Sequence, residues 1–168
     1  MKKIILTILA AVGCIGALSA QNYMVVNSEK IFKSINDYNN AITELDNLAE
    51  TYQQQVDAKF EAVATLYNNY QAQKANLSTS ARDAREQAIL DKEQEATKFQ
   101  ESIFGNDGTL MKKRIELIQP IQEKVFKAIA DYSKANGFDM VIDIASNATL
   151  LYYSTGIDKT EEIIKLIK

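Results

Sequence analysis

From Ser28 to Leu77 the chain has neither glycine nor proline, and apolar residues recur along it in alternating steps of four and three. The series runs Ile31, Ile35, Tyr38, Ile42, Leu45, Ala49, Tyr52, Val56, then Lys59 as its one lapse, then Val63, Leu66 and Tyr70. A 3.5-residue period held this long predicts the seam of a coiled coil, not the face of a globular helix. At 1.5 Å per residue, about fifty residues would make a rod of about 75 Å. A rod with a single apolar stripe must lay that stripe against a partner.

The partner follows in sequence. "NLSTS" at 76–80 clusters turn formers and N-cap residues, and a second polar helix begins after it with a weaker seam: Ile89, Lys92, Ala96, Phe99, Ile103. The two predict an antiparallel hairpin over 37–104 with its tip near 76–80. "GNDG" at 105–108 interrupts the return helix, which resumes near Thr109 on an apolar face of Leu110, Met111, Ile115, Ile118, Ile121, Val125, Ile129 and Tyr132. Pro120 predicts a bend, and Gly137 a left-handed stop.

The chain ends carry the β-forming residues. "NYMVVN" (22–27) reads as a strand, followed by an N-cap at Asn27 or Ser28 with Glu29 in the first turn. "FDMVIDI" (138–144) and "ATLLYYS" (148–154) read as two more strands about a Ser146-Asn147 turn, and Asp158 with Glu161 as a capping pair for the terminal helix "EEIIKLIK". Three short strands have little core and exposed edges, which pairing with further copies of the chain would cover. The expected fold is therefore α+β: a long coiled-coil hairpin arm inserted into a small β-rich body, 21–36 with 105–168, made by both chain ends.

Ahead of these elements, Met1-Lys2-Lys3 and the apolar run "IILTILAAVGCIGALSA" predict a secretory signal peptide over 1–20, cleaved after Ala20 with Leu18 at −3. "AVGC" is a loose lipobox at Cys14, but Ala11 stands where Leu is expected and an apolar segment would follow the anchor, which disfavours lipid attachment. Cleavage at Ala20 would remove the sole cysteine, so no disulfide framework is expected. Without Lys2 and Lys3 the balance is 17 basic against 22 acidic residues, which disfavours nucleic-acid binding. If the source is bacterial, the sequons at Asn76-Leu-Ser78 and Asn147-Ala-Thr149 are chance matches.

Chemistry has little to work with. Histidine is absent, so the usual nucleophile–base pairs are missing and no catalytic residue is expected. Asp139 and Asp143, four apart on a strand, would lie about 13 Å apart, too far for a carboxylate dyad; solvation or bonding to nearby backbone is the expected fate. "GNDG" lacks the carboxylate ladder and distal Glu of a calcium loop. Neither a metal nor a cofactor is expected.

The arrangement resembles the Skp/OmpH family of periplasmic chaperones. The resemblance rests on "VNSEKIF" after the first strand, the Gln-Pro-Ile at 119–121, the Ala-Ile at 128–129, "ANGFDMVID", and Asp-x-Thr at 158–160. It implies a homotrimer with a central β body and three helical arms enclosing a cavity, which holds unfolded outer-membrane β-barrel proteins in the periplasm without ATP. It also raises lipopolysaccharide as a partner. Residues 37–61 carry six acids and only Lys59, and 74–98 carry five basic and five acidic residues, which disfavours such an anionic ligand. The one basic run, Lys112-Lys113-Arg114, reads as a solvated face.

Five apolar residues sit off the strict seam: Leu48, Phe60, Tyr67, Leu77 and Phe104. They either broaden the hairpin interface or hold unfolded client by weak apolar contacts, each about 1–2 kcal/mol. Val25, Val141, Ile142, Leu151 and Tyr152 are expected in the trimer body, as core and subunit interface. The rival to the holdase is a structural coiled-coil scaffold of the cell envelope.

Overall fold

Residues 22–145 and 150–168 are described by the computed structural model. The signal peptide, its cleavage point, Cys14, the Ser146-Asn147 turn and the Asn147 sequon lie outside these residues. The chain divides into two units, one of residues up to Ile31 with Phe126–Lys168, the other Phe32–Val125.

In the first unit, β1 (Tyr23–Val26) pairs in parallel with β2 (Met140–Asp143), Met24 opposite Val141 and Val25 opposite Ile142. Parallel neighbours need a long crossover, and everything between the two strands serves as one. On its other side β1 meets the residues before the last helix: the Lys159 N–H donates to the Val25 carbonyl at 3.0 Å. With both edges engaged, Met24, Val25 and Val26 are all buried, a run of apolar residues in place of alternation.

The third expected strand, 148–154, is not formed over its described residues. Leu150–Ser154 is outside regular structure, and the sheet among the described residues has two strands. These residues join no ladder, neither at the second edge of β1, which is closed, nor at the outer edge of β2, which carries no strand among the described residues. The free edge of β1 is taken by Asp158 and Lys159, and Leu151 and Tyr152 stand 95% and 83% exposed.

Caps set the flanking helices. Helix α1 (Ser28–Lys33) starts where the Asn27 side chain accepts the Lys30 N–H at 2.9 Å. Across the sheet, the Asp143 carboxylate accepts the Ser28 N–H at 3.0 Å and the Ser28 hydroxyl at 2.5 Å. At the far end, α5 (Thr160–Ile167) buries Ile163, Ile164 and Ile167. Its entry departs from the expected capping pair. Asp158 accepts from the Thr160 N–H at 3.0 Å, but Glu161 reaches to Lys30 at 2.5 Å instead of back along its own turn. The Thr160 hydroxyl accepts the Asn27 N–H at 2.9 Å, so both chain ends are tied at one point.

In the second unit, the continuous rod expected from Ser28 is broken. Ile35 is extended (φ −96°, ψ 119°), and α2 begins only at Asn36, running to Gln73. The Ile35 N–H bonds back to the Phe32 carbonyl at 3.0 Å, the Asn39 side chain satisfies the Lys33 carbonyl at 2.9 Å, and the Phe32 and Tyr38 rings pack across the break at 5.3 Å. Local side-chain bonds thus replace the helical ladder without glycine or proline. The 38 residues of α2 span about 57 Å.

A 3₁₀ turn at Lys74–Asn76 and the extended Leu77 lead to Ser78, whose hydroxyl caps α3 (Thr79–Phe104) by accepting the Ala81 N–H. Two contacts give the pairing of α2 with α3: Lys59 meets Phe99, and Tyr70 meets Glu86. As one number rises the other falls, so the helices are antiparallel. Between α3 and α4 (Thr109–Ala135) the backbone folds on itself so tightly that a Cβ at Gly105 would lie 2.4 Å from the Glu101 carbonyl oxygen. Helix α4 continues through Pro120 and stops at Gly137, φ +70°, with the Phe138 N–H returning to the Ser133 carbonyl at 2.9 Å.

Candidate functional site

The apolar cluster of the second unit joins α2 to α4. Ala41, Leu45 and Ile118 are buried, with Tyr38, Ile42, Leu110, Leu117 and Ile121 packed around them. Lys113 spans the same pair of helices, 3.4 Å from Glu44 and 3.0 Å from Glu116. Those carboxylates, Glu116 first, hold its ammonium above the usual lysine range.

Beyond Leu45 only α2 and α3 remain to pack, and the seam thins. Val56 and Tyr70 are the buried residues of α2 there; α3 contributes Ala96 and Ile103. Lys59, the lapse in the period, is exposed, and its ammonium lies 4.9 Å from the Phe99 ring centroid, so the lysine is a lid on an aromatic ring. Near the tip, Tyr70 donates its hydroxyl to Glu86, which holds the phenol above its ordinary range. The Lys74 ammonium sits 5.2 Å from the Tyr70 ring and 3.8 Å from Glu86.

The five off-seam residues do not converge. Phe60 and Tyr67 are exposed and seven apart on α2, two turns along one side of the rod. Leu77 is half-buried at the turn between α2 and α3. Leu48 lines an open polar groove with Asn40, Glu44, Thr51 and Lys113. Phe104 alone lies in an apolar cleft, about 310 Å³, with Ile42, Leu45, Ala49, Leu110 and Met111.

Sequence reasoning missed part of the apolar surface. Leu90, Met111 and Ile115 are exposed, although Met111 and Ile115 were assigned to the packed face of α4. Adjacent helical residues point about 100° apart. Leu110 and Met111 cannot both face a seam, and that is the signal by which Met111 is legible.

In the first unit, Val25 is buried, Val141 and Ile142 are half-buried, and Leu151 and Tyr152 are exposed. An apolar cleft of about 470 Å³ lies along β2, lined by Phe126, Ile129, Phe138, Met140 and Val141. Both strand carboxylates are spent on backbone: Asp139 accepts the Asn22 N–H, and Asp143 accepts those of Ser28 and Ala145. Partial burial opposes ionisation of Asp143, yet the Ser28 hydroxyl and these N–H groups hold its carboxyl below the usual range. Among the described residues no group of three His, Cys, Asp or Glu is placed to hold a metal ion, and no helix is long and apolar enough to cross a membrane.

The described residues thus present scattered exposed apolar side chains and shallow clefts. Compared with known proteins, residues 22–167 match the family model described as Outer membrane protein (OmpH-like). No curated protein matches.

Proposed function

The chain belongs to the OmpH-like family, one of periplasmic chaperones for outer-membrane proteins, and from that premise we propose that it is an ATP-independent holdase for unfolded β-barrel chains. In this reading it works as a homotrimer in the periplasm. The first unit joins three copies into a body, and the α2–α3 arms enclose the client. Phe60, Tyr67, Leu77, Phe104 and Leu48 supply the contacts.

The observation that carries the reading is the scatter of exposed apolar side chains on the arm, Phe60, Tyr67, Leu90 and Phe104, on a scaffold whose buried seam is thin. Contacts of this kind add up without any one dominating, so a client can leave without an energy source. For the body, the support is that Leu151 and Tyr152 are large, apolar and solvent-facing beside a two-stranded sheet. The acidic balance of 37–61 argues against lipopolysaccharide as a second ligand.

The test is aggregation of a urea-unfolded outer-membrane barrel on dilution, with the mature protein at one trimer per client. Suppression, together with a native mass equal to three chains plus one client, is expected. Aggregation at the uninhibited rate would overturn the holdase and leave the envelope scaffold as the better reading.

A further inference from the structure

The cleft where α3 turns into α4 differs from the rest of the arm in having a floor, a mouth and two idle charges. Leu45 is buried at its base, whereas Phe104 and Met111 are 37% and 42% exposed. At Gly105 its wall is bare backbone, since a Cβ there would meet the Glu101 carbonyl oxygen at 2.4 Å. Asp46 and Arg114 also line it; both are exposed, and neither is ion-paired or hydrogen-bonded among the described residues.

We infer that this cleft receives one aromatic side chain borne on an extended, uncharged stretch of client polypeptide. Three groups at the mouth each favour a ring over an aliphatic chain. The Met111 thioether makes sulfur–aromatic contacts, the Arg114 guanidinium attracts a ring face, and Phe104 offers a ring of its own. Opposite unpaired charges on one small cleft suit a dipolar, neutral group such as a peptide unit. A client of either net charge would meet one of them as repulsion. About 310 Å³ is at the lower end for a ligand pocket, which fits a side chain and not a larger molecule. The inference rests on the holdase reading, and it is consistent with the aromatic girdles of membrane β-barrels.

The experiment uses the full mature protein labelled at methionine methyl carbons, the Met111 resonance being assigned with Met111→Leu. Three soluble Gly/Ser peptides are titrated, identical except for a single Tyr, Leu or Ala. The Tyr peptide should move the Met111 methyl upfield by ring current and saturate about tenfold more tightly than the Leu peptide. Arg114→Gln should weaken the Tyr peptide about two- to fivefold and leave the Leu peptide unchanged. Equal affinity for Tyr and Leu, or a Met111 signal that no peptide moves, would overturn the inference. So would a signal that follows protein concentration without peptide (the occupant being a second copy), or one that responds only to a fatty-acyl probe. The same preparation is assayed with the unfolded barrel. Suppression without a Met111 response defeats the cleft alone, whereas a Met111 response without suppression defeats the holdase and leaves the cleft's aromatic preference standing.

Discussion

Between Leu45 and Tyr70, Val56 is the one residue of α2 that is fully out of water, 1% exposed over a length of about 37 Å. The Lys59–Phe99 and Tyr70–Glu86 pairs fix an antiparallel register that brings Val56 to the level of Ile103. Val56→Ala deletes two carbons, about 1.6 kcal/mol of transfer free energy. A cavity adds to this, but a seam two helices wide can close over it, so the total is about 1.5–2.5 kcal/mol. If the arm opens segment by segment, amide exchange should rise about ten- to seventyfold in residues 50–62 and in the facing stretch near Phe99–Ile103.

Amides of β1 and β2 belong to the other unit and should keep their wild-type rates. Hydrogen exchange read by mass spectrometry on peptic fragments resolves these regions. An equal acceleration in the strands would show that arm and body open as one, and the segmental reasoning would fail. Unchanged exchange around Val56 would show that the seam does not hold the middle of the arm.

Other consequences are quickly checked. Gly137→Ala puts a Cβ where nothing lies within 4 Å but at φ +70°, so strain alone should cost about 1 kcal/mol and lower Tm by about 3 °C; an unchanged melt would mean the left-handed stop is dispensable. Asp143 has a depressed carboxyl pKa, so its contribution is present above the ordinary carboxylate range and is lost as pH falls through the folded value. Asp143→Asn should therefore be less stable than wild type at pH 7 in urea unfolding, with the gap closing below about pH 4. Replacing Leu151 and Tyr152 together by serine should leave the circular dichroism of the chain unchanged, because both already face water, and should reduce the native mass from trimer to monomer. A trimer surviving this change would remove these residues from the proposed interface.

What the sequence made legible was what short-range forces decide. The alternating four-and-three spacing put Leu45, Val56 and Tyr70 inside because burial on a helix repeats with the turn. Gly137 ends α4 because few other residues adopt its backbone angles, and Ser78 caps α3 through a bond spanning three residues. The break at Ser34–Ile35 was less legible, although it too is local. It depends on Asn39 reaching the Lys33 carbonyl and on two rings meeting across the gap, a conjunction that propensity and period do not encode.

Where partners lie far apart in the chain, the two ends were legible together as strands but their order and pairing were left open, and the strands show why. Val25 is buried because Ile142 pairs on one side and Lys159 bonds on the other, contacts that no window of residues around Val25 contains. The third strand is absent for a different reason: the residues leading into α5 fill the second edge of β1 only, and 150–154 make no ladder with the outer edge of β2 either. Leu151 and Tyr152 are then left with β-forming side chains and no ladder to join. Large apolar groups in water are a standing cost to a lone chain, and that cost is the ground on which this stretch is proposed as half of an interface. The double serine replacement decides whether 150–153 meets a second copy of the chain.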